Sequence, residues 1–370
     1  MNSRAGSLTG QQPRPSLRAM FTRSFSLLPV LLFAAFPLAA KAAEPIQSYN
    51  TYKSWLVACD NTLRCEAKGF PQDGNAAELD ITRDAGPDGA MRAVIASESA
   101  FTASAPRLGG TALPLSSAWQ RKQSEDGTAF VSTDAAAIRA LVQQIRNAPA
   151  ITLPGDTSIP LDGFTAAIRR MDARQGRTGG VTALLDTGPA PADKALRALP
   201  LPLIPAHPVT VSLGKGEAAK LIASTRAAGK AVLAKEGCDT DVGDMAPEAD
   251  ALSAHQALVL IPCIMGAYQG SSIGFLTDRG TGKAAELSLS TPYQGNSPGN
   301  AQVTGLTEAA FDSKTGMLSM AARGRGIADC GIAASWIWDG SAFQLSALSF
   351  QDTCGGTAPG DWPDLFRSRQ

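Results

Sequence analysis

Gly270-Ser271-Ser272-Ile273-Gly274 has the spacing of a nucleophile elbow. In that motif a serine sits on a tight turn between a strand and a helix, and its histidine follows later in the chain. Both histidines, His207 and His255, precede Ser272, and Phe275 to Lys283 reads as a turn. A glycine-rich β-turn is the expectation. Ser212-Leu213-Gly214-Lys215 and Lys314-Thr315-Gly316 copy two boxes of penicillin-recognising enzymes, but the Ser-Asp-Asn box is absent. Gly214 and Gly216 also oppose the helix that would present Ser212 and Lys215 together. Gly282-Lys283 lacks the first glycine and the Ser/Thr of a phosphate loop. No residue is therefore assigned a catalytic role.

Asp239, Asp241, Asp244 and Asp250 crowd one segment, and carboxylates suit calcium. However, Gly243 falls at a ligand position and Asp244 replaces the glycine of the sharp turn, so a solvated acidic loop is expected. Two histidines cannot build a histidine-rich metal centre. No metal and no cofactor is assigned. Two surface features are candidates for binding. Arg170, Arg174 and Arg177 recur at i, i+4 and i+7 opposite Phe164, Ile168 and Met171, a basic stripe that could meet an anionic envelope polymer or lipid head group. Trp336 and Trp338 share one side of a strand. Such a pair is either a platform for a sugar ring or partner loop, or a seal on a sandwich core.

The six cysteines, Cys59, Cys65, Cys238, Cys263, Cys330 and Cys354, form no Cys-x-x-Cys motif. An even number in an exported chain suggests three disulfides. Fifteen pairings exist for six cysteines. Spacing favours sequence neighbours: Cys59–Cys65, Cys238–Cys263 and Cys330–Cys354.

Export is read from the amino terminus. Residues 1–42 hold Arg4, Arg14, Arg18, Arg23, Lys41 and no acid, then an apolar stretch from Phe25 to Ala40 ending in Ala40-Lys41-Ala42. Charged start, apolar middle and small-x-small end make a cleavable secretory signal. Met20 is the better start by charge and length. The full chain has 370 residues, 33 basic and 33 acidic; cleavage would remove five basic side chains and leave net −5. That balance argues against a nucleic-acid partner. Downstream, the longest apolar run, Ala257 to Tyr268, contains Pro262 and is too short to span a bilayer.

The elements that must position these residues fall into two halves. From Ser48 to Phe130 the texture alternates with period two, with turns at Pro71-Gln72-Asp73-Gly74 and Gly86-Pro87-Asp88-Gly89. Two helices follow: one capped near Asp134 with Ile138, Leu141, Val142 and Ile145 inward, one capped by Asp162 with Phe164, Ile168 and Met171 inward. Six prolines between 189 and 208 mark a linker. Beyond it come a helix near Glu217 to Ala228, then strands, with a hairpin turning at Asp339-Gly340. The expected fold is α+β, mostly β: two disulfide-stapled β-sandwich-like domains at 43–188 and 209–370, each with one or two helices.

Trp55-Leu56-Val57-Ala58-Cys59-Asp60-Asn61, Cys65, the Leu161 to Arg177 helix, Met265-Gly266-Ala267-Tyr268, Gly324-Arg325-Gly326, Asp329-Cys330-Gly331, Trp338-Asp339-Gly340 and Cys354-Gly355-Gly356 are distinctive in combination. With them the mature chain resembles the bacterial exported family catalogued as domain of unknown function 1176, and its first half is similar to the invasion-associated locus B family. The resemblance implies a periplasmic, mostly β protein and supplies no catalytic residues. It also leads one to expect a glycine at Ile327-Ala328. The function expected is a non-enzymatic periplasmic or secreted binding protein of undetermined ligand, with an envelope protein or anionic envelope polymer as partner. The alternatives are an inhibitor of an extracytoplasmic hydrolase such as lysozyme, and a cryptic serine hydrolase acting on envelope polymers.

Overall fold

Period-two alternation becomes five consecutive strands: β1 (Ser48–Tyr52), β2 (Trp55–Cys59), β3 (Cys65–Gly69), β4 (Ala77–Arg83) and β5 (Met91–Ser97). The computed structural model describes residues 46–370 apart from 73–75, 125–126 and 295–296. The signal segment 1–42 and part of the turn at Pro71-Gln72-Asp73-Gly74 lie outside the described residues. β1 to β5 pair antiparallel in chain order, and strands Gly127–Ser132 and Gln120–Ser124 extend the sheet to seven.

One face carries Trp55, Val57, Cys59, Ala67, Leu79, Ile81 and Ile95 and packs under two helices. Helix α1 (Ala135–Ile145) begins where the Asp134 carboxylate accepts the Ala137 amide, and it buries Ile138, Leu141, Val142 and Ile145. Helix α2 (Phe164–Arg174) buries Phe164, Ile168 and Met171. Its cap differs from expectation. The cap position is Gly163, left-handed and without a side chain, and the Asp162 carboxylate accepts the Ser54 hydroxyl at 2.8 Å instead. A small four-stranded sheet from 107–112 and 150–160 adds Ile151, Leu153 and Ile159 to the same core.

The second half builds two larger sheets. In one, strands Gln256–Met265 and Gly270–Asp278 are central, with Glu248–Ala251, Ala284–Glu286 and Gly305–Thr307 around them. Pro262 sits where the register shifts, as a residue without an amide donor should. Helix α3 (Glu217–Ala228) covers the outer face, placing Leu221 against Val259, Ile261 and Phe275. The other sheet runs Ala310–Asp312, Met317–Arg323, Gly331–Trp338, Phe343–Gln351, Asp364–Arg367 in spatial order. Inner faces of the two sheets meet in one cluster containing Leu258, Leu260, Leu318, Trp336, Trp338 and Leu348. The hairpin turns at Asp339-Gly340 as anticipated, and the Asp339 carboxylate accepts the amides of Ser341 and Ala342.

The fold is thus α+β and mostly β, and disulfides join Cys59–Cys65, Cys238–Cys263 and Cys330–Cys354. No helix among the described residues is long and apolar enough to cross a membrane. Among the described residues no sheet mixes strands from before and after the proline-rich segment 189–208. The core does mix: Tyr49, Leu56, Ala58 and Phe70, on the face of β1–β3 turned from the helices, belong to the cluster of Trp336 and Trp338. The segment 189–208 is tied to both halves. Its Leu196 carbonyl accepts the Gly86 amide and its His207 amide donates to the Thr315 carbonyl.

Candidate functional site

Ser272 lies mid-strand in Gly270–Asp278, paired with Pro262 and Leu306, rather than on an exposed elbow or a turn. It lines a cavity of about 260 Å³ with Glu248, Leu260 and Glu308, and no histidine or lysine shares that lining. The only ionisable groups in that lining are the Glu248 and Glu308 carboxylates, and Glu308 accepts the Gly270 amide rather than the Ser272 hydroxyl. Lys314-Thr315-Gly316 forms the turn into Met317–Arg323, with Asp312 accepting the Lys314 amide and the Thr315 hydroxyl. Ser212 precedes α3 in an extended segment, so neither penicillin-type box has its helix or strand. Asp239, Asp241 and Asp244 point to solvent, and Asp250 is half-buried in Glu248–Ala251. Among the described residues the one trio of metal-capable side chains with donor atoms within 4.8 Å is Asp329, Cys330 and Cys354. Both sulfurs there are consumed by their disulfide.

The candidate binding surface is corrected by burial. Trp336 and Trp338 are fully buried, the first donating its indole N–H to the Ser290 carbonyl at 3.1 Å. Both seal the core; replacing either by alanine would cost about 3–5 kcal/mol. Nor is there an arginine stripe in solvent. Arg177 is buried and donates to Gln175 Oε1 and to the carbonyls of Asp84 and Gly86. Arg170 donates to Asn50 Oδ1 and Arg174 to the Ile46 carbonyl. Helical spacing places Arg170 and Arg174 on one side of α2, which meets Asn50 and Ile46, whereas Arg177 lies past the helix end against the 84–89 turn.

Spacing arguments also missed a charged interior. Lys68 and Asp80 are cross-strand partners on β3 and β4, and Glu66 and Glu78 lie two residues away on the same face. The C-terminal segment 355–362 closes over them. Lys68 Nζ reaches Glu78 and Asp361 at 3.2 Å each, and Glu78 accepts the Thr357 amide and hydroxyl. Burial alone would depress the Lys68 ammonium, but Glu78 and Asp361 hold it above its ordinary range. Burial, opposed by Lys68, pushes the Glu66 carboxyl up to about 7. Burial and the Glu66 carboxylate push Asp80 up as well. Alternating charges on β3 and β4 were legible as a polar sheet face; the cover was not. Gly355-Gly356 makes the cover feasible. Both have positive φ, 154° and 106°, and added Cβ atoms would sit 2.2 Å from the Phe70 ring and 2.7 Å from Glu78 Oε2.

Exposed apolar side chains concentrate at one end of the second half. The end of strand Gln256–Met265 presents Ile264 and Met265, the loop after it presents Tyr268, and the loop 324–330 presents Ile327, which is 64% exposed. These two loops are bolted together. Tyr268 donates its hydroxyl to the Gly324 carbonyl at 3.2 Å, and the Gln269 amide bonds the Arg323 backbone on both sides, at 3.0 and 2.9 Å. The Arg323 guanidinium lies 5.4 Å from the centre of the Tyr268 ring and donates to the Tyr268 carbonyl. Beneath them Arg325 pairs with Asp329, and Cys330–Cys354 links the loop to the segment that covers Lys68. Ala328 is left at φ 59°, where the expected glycine would be relaxed. The signal in the sequence was the pair of motifs Met265-Gly266-Ala267-Tyr268 and Gly324-Arg325-Gly326; their meeting in space was not.

Fold and site together define a disulfide-stapled, mostly β protein in which exposed Ile264, Met265, Tyr268 and Ile327 lie on or beside two cross-linked loops. The chain belongs to the family described as "Protein of unknown function (DUF1176)", whose model matches residues 49–369. It is 30% identical over 363 residues to "Uncharacterized protein YpfG" of Escherichia coli (strain K12), an alignment covering 92% of this chain and 98% of that protein. No solved structure matches the chain.

Proposed function

We propose that this chain is an exported, non-enzymatic interaction protein of the bacterial periplasm that docks a protein partner on the Ile264, Met265, Tyr268 and Ile327 surface. The observation that carries this reading is the combination of exposure and rigidity at those loops. Apolar and aromatic side chains cost free energy when left in water, and loops already held by a disulfide and cross-loop hydrogen bonds lose little entropy on binding. Tyrosine and arginine are also the residue types that dominate interface energetics. Three disulfides suit an oxidising compartment and support an exported location.

An extracytoplasmic hydrolase such as lysozyme is a second reading of the partner, since a rigid projecting loop can occupy an enzyme cleft. An anionic envelope polymer is less well supported, because Arg177 is buried and Arg170 and Arg174 donate within the chain. A serine hydrolase is less well supported too, because Ser272 sits mid-strand between Pro262 and Leu306 and no histidine lines its cavity.

A photo-cross-linking side chain placed at Tyr268 in living cells tests the proposal, with Lys220 on α3 as the control position. A discrete adduct from position 268, lost in Ile327→Asp and absent from position 220, is expected. No adduct from position 268 would overturn the reading. Assay of lysozyme with the purified protein then separates an inhibitor from a docking partner.

A further inference from the structure

The walls of a second concavity carry features that the loop surface does not use. The turn between β4 and β5, residues 84–90, faces residues 198–201 of the proline-rich segment across a cleft of about 750 Å³, closed at one end by Thr62, Arg367 and Arg369. This volume falls within the range typical of small-ligand sites.

The cleft is built in advance of any ligand. Below the turn, buried Arg177 donates to the carbonyls of Asp84 and Gly86. The Gly86 amide donates to Leu196 at 2.8 Å, and the Leu199 amide to Thr62 at 3.3 Å, so the proline-rich wall is tied to both the turn and the Cys59–Cys65 hairpin. At the far end the backbones of Arg369, Pro202 and Ile204 exchange two hydrogen bonds of 2.9 Å. Prolines 200 and 202 add stiffness because their φ is locked.

Charges in the lining are divided. Arg367 is spoken for, since it pairs with Asp60 and donates to Thr62. Asp84 lies 3.5 Å from Arg64. Arg369 and Asp88 are both exposed, and neither side chain has a hydrogen bond or ion pair among the described residues. The same lining includes apolar Ala85, Pro87, Leu199 and Leu201. One uncommitted cation, one uncommitted anion and apolar walls match a dipolar ligand. Asp84 and Asp88 repel a polyanion, and no aromatic ring lines the cleft to stack a base.

We propose that this cleft binds short peptides with free termini, the terminal carboxylate at Arg369, the ammonium at Asp88, and an apolar side chain against Leu199 and Leu201. The inference is independent of the docking surface at Tyr268.

Isothermal titration of the purified protein with Ala-Leu-Ala, its C-terminal amide and its N-acetyl form tests it. Saturable binding of the free peptide is expected, weakened about tenfold by either cap. Arg369→Gln should erase the difference between free acid and amide, and Asp88→Asn the difference between free and acetylated amine. Both side chains are exposed and unpaired, so these variants keep the fold. Ala198→Trp, which fills the cleft, should abolish binding. Absence of saturable binding up to about 10 mM peptide would overturn the proposal. So would binding that is indifferent to the caps, or that survives Ala198→Trp.

Discussion

Gly356 shows how much a single position can carry. Its φ of 106° is unfavourable for any side chain, and a Cβ there would stand 2.7 Å from Glu78 Oε2 and 3.5 Å from Lys68 Nζ. Gly356→Ala should destabilise the protein by about 1–3 kcal/mol, read as a lower midpoint in urea unfolding; an unchanged midpoint would show that the cover can shift at no cost. Glu66 gives a second test. Its carboxyl rises from an ordinary 4.5 to about 7 in the folded chain, chiefly through burial, with Asp361 and Asp364 adding to the rise and Lys68 and Arg64 opposing it. The folded state therefore binds this proton more tightly than the unfolded state. The stability it contributes is present below about pH 4.5 and is lost as pH rises through 7. Glu66→Gln should raise stability at pH 8 relative to the native chain by about 1 kcal/mol, after discounting for its residual exposure, and change little at pH 4. An equal effect at both pH values would refute the assignment.

At the scale of elements, the link between the loop 324–330 and the covering segment 352–362 is the Cys330–Cys354 disulfide, which closes a separation of 24 residues. By loop entropy it contributes about 3 kcal/mol. Cys330→Ser should lower the melting temperature in oxidising buffer, and it should also loosen Ile327 and weaken cross-linking from position 268. Unchanged melting would mean that hydrogen bonds alone hold the loop. The elements themselves were largely legible. Helix α1 and the Asp339-Gly340 hairpin lie where periodicity and turn chemistry put them, because a local cap, a 3.6 period and a glycine at positive φ are local facts. The Asp162 cap failed for the opposite reason: its partner, Ser54, is 108 residues away in sequence. The arginine stripe failed likewise, since spacing gives a helix face but not what that face meets.

The whole molecule raises the question of autonomy. Each described sheet draws its strands from one side of segment 189–208, whereas the second half's core includes Tyr49, Leu56, Ala58 and Phe70 from the first. The charged latch also crosses the division, from Lys68 to Asp361. Residues 209–370 expressed alone should expose this apolar face, bind a hydrophobic dye such as ANS and lose the cooperative melting of the full chain. Native-like cooperative melting of the isolated half, without dye binding, would contradict that outcome.

Chain chemistry alone determined that the protein is mostly β, that two amphipathic helices sit between the strand-rich halves, and which cysteines are spaced to pair. Each depends on residues close in sequence, where periodicity, turn preference and loop length act directly. Only tertiary packing decided that Trp336 and Trp338 face inward, that Lys68 and Glu78 lie under the C-terminal segment, and that Tyr268 meets Arg323. Burial is a property of what arrives from elsewhere in the chain, so desolvation, shifted protonation and surface shape emerge only when distant segments close on one another.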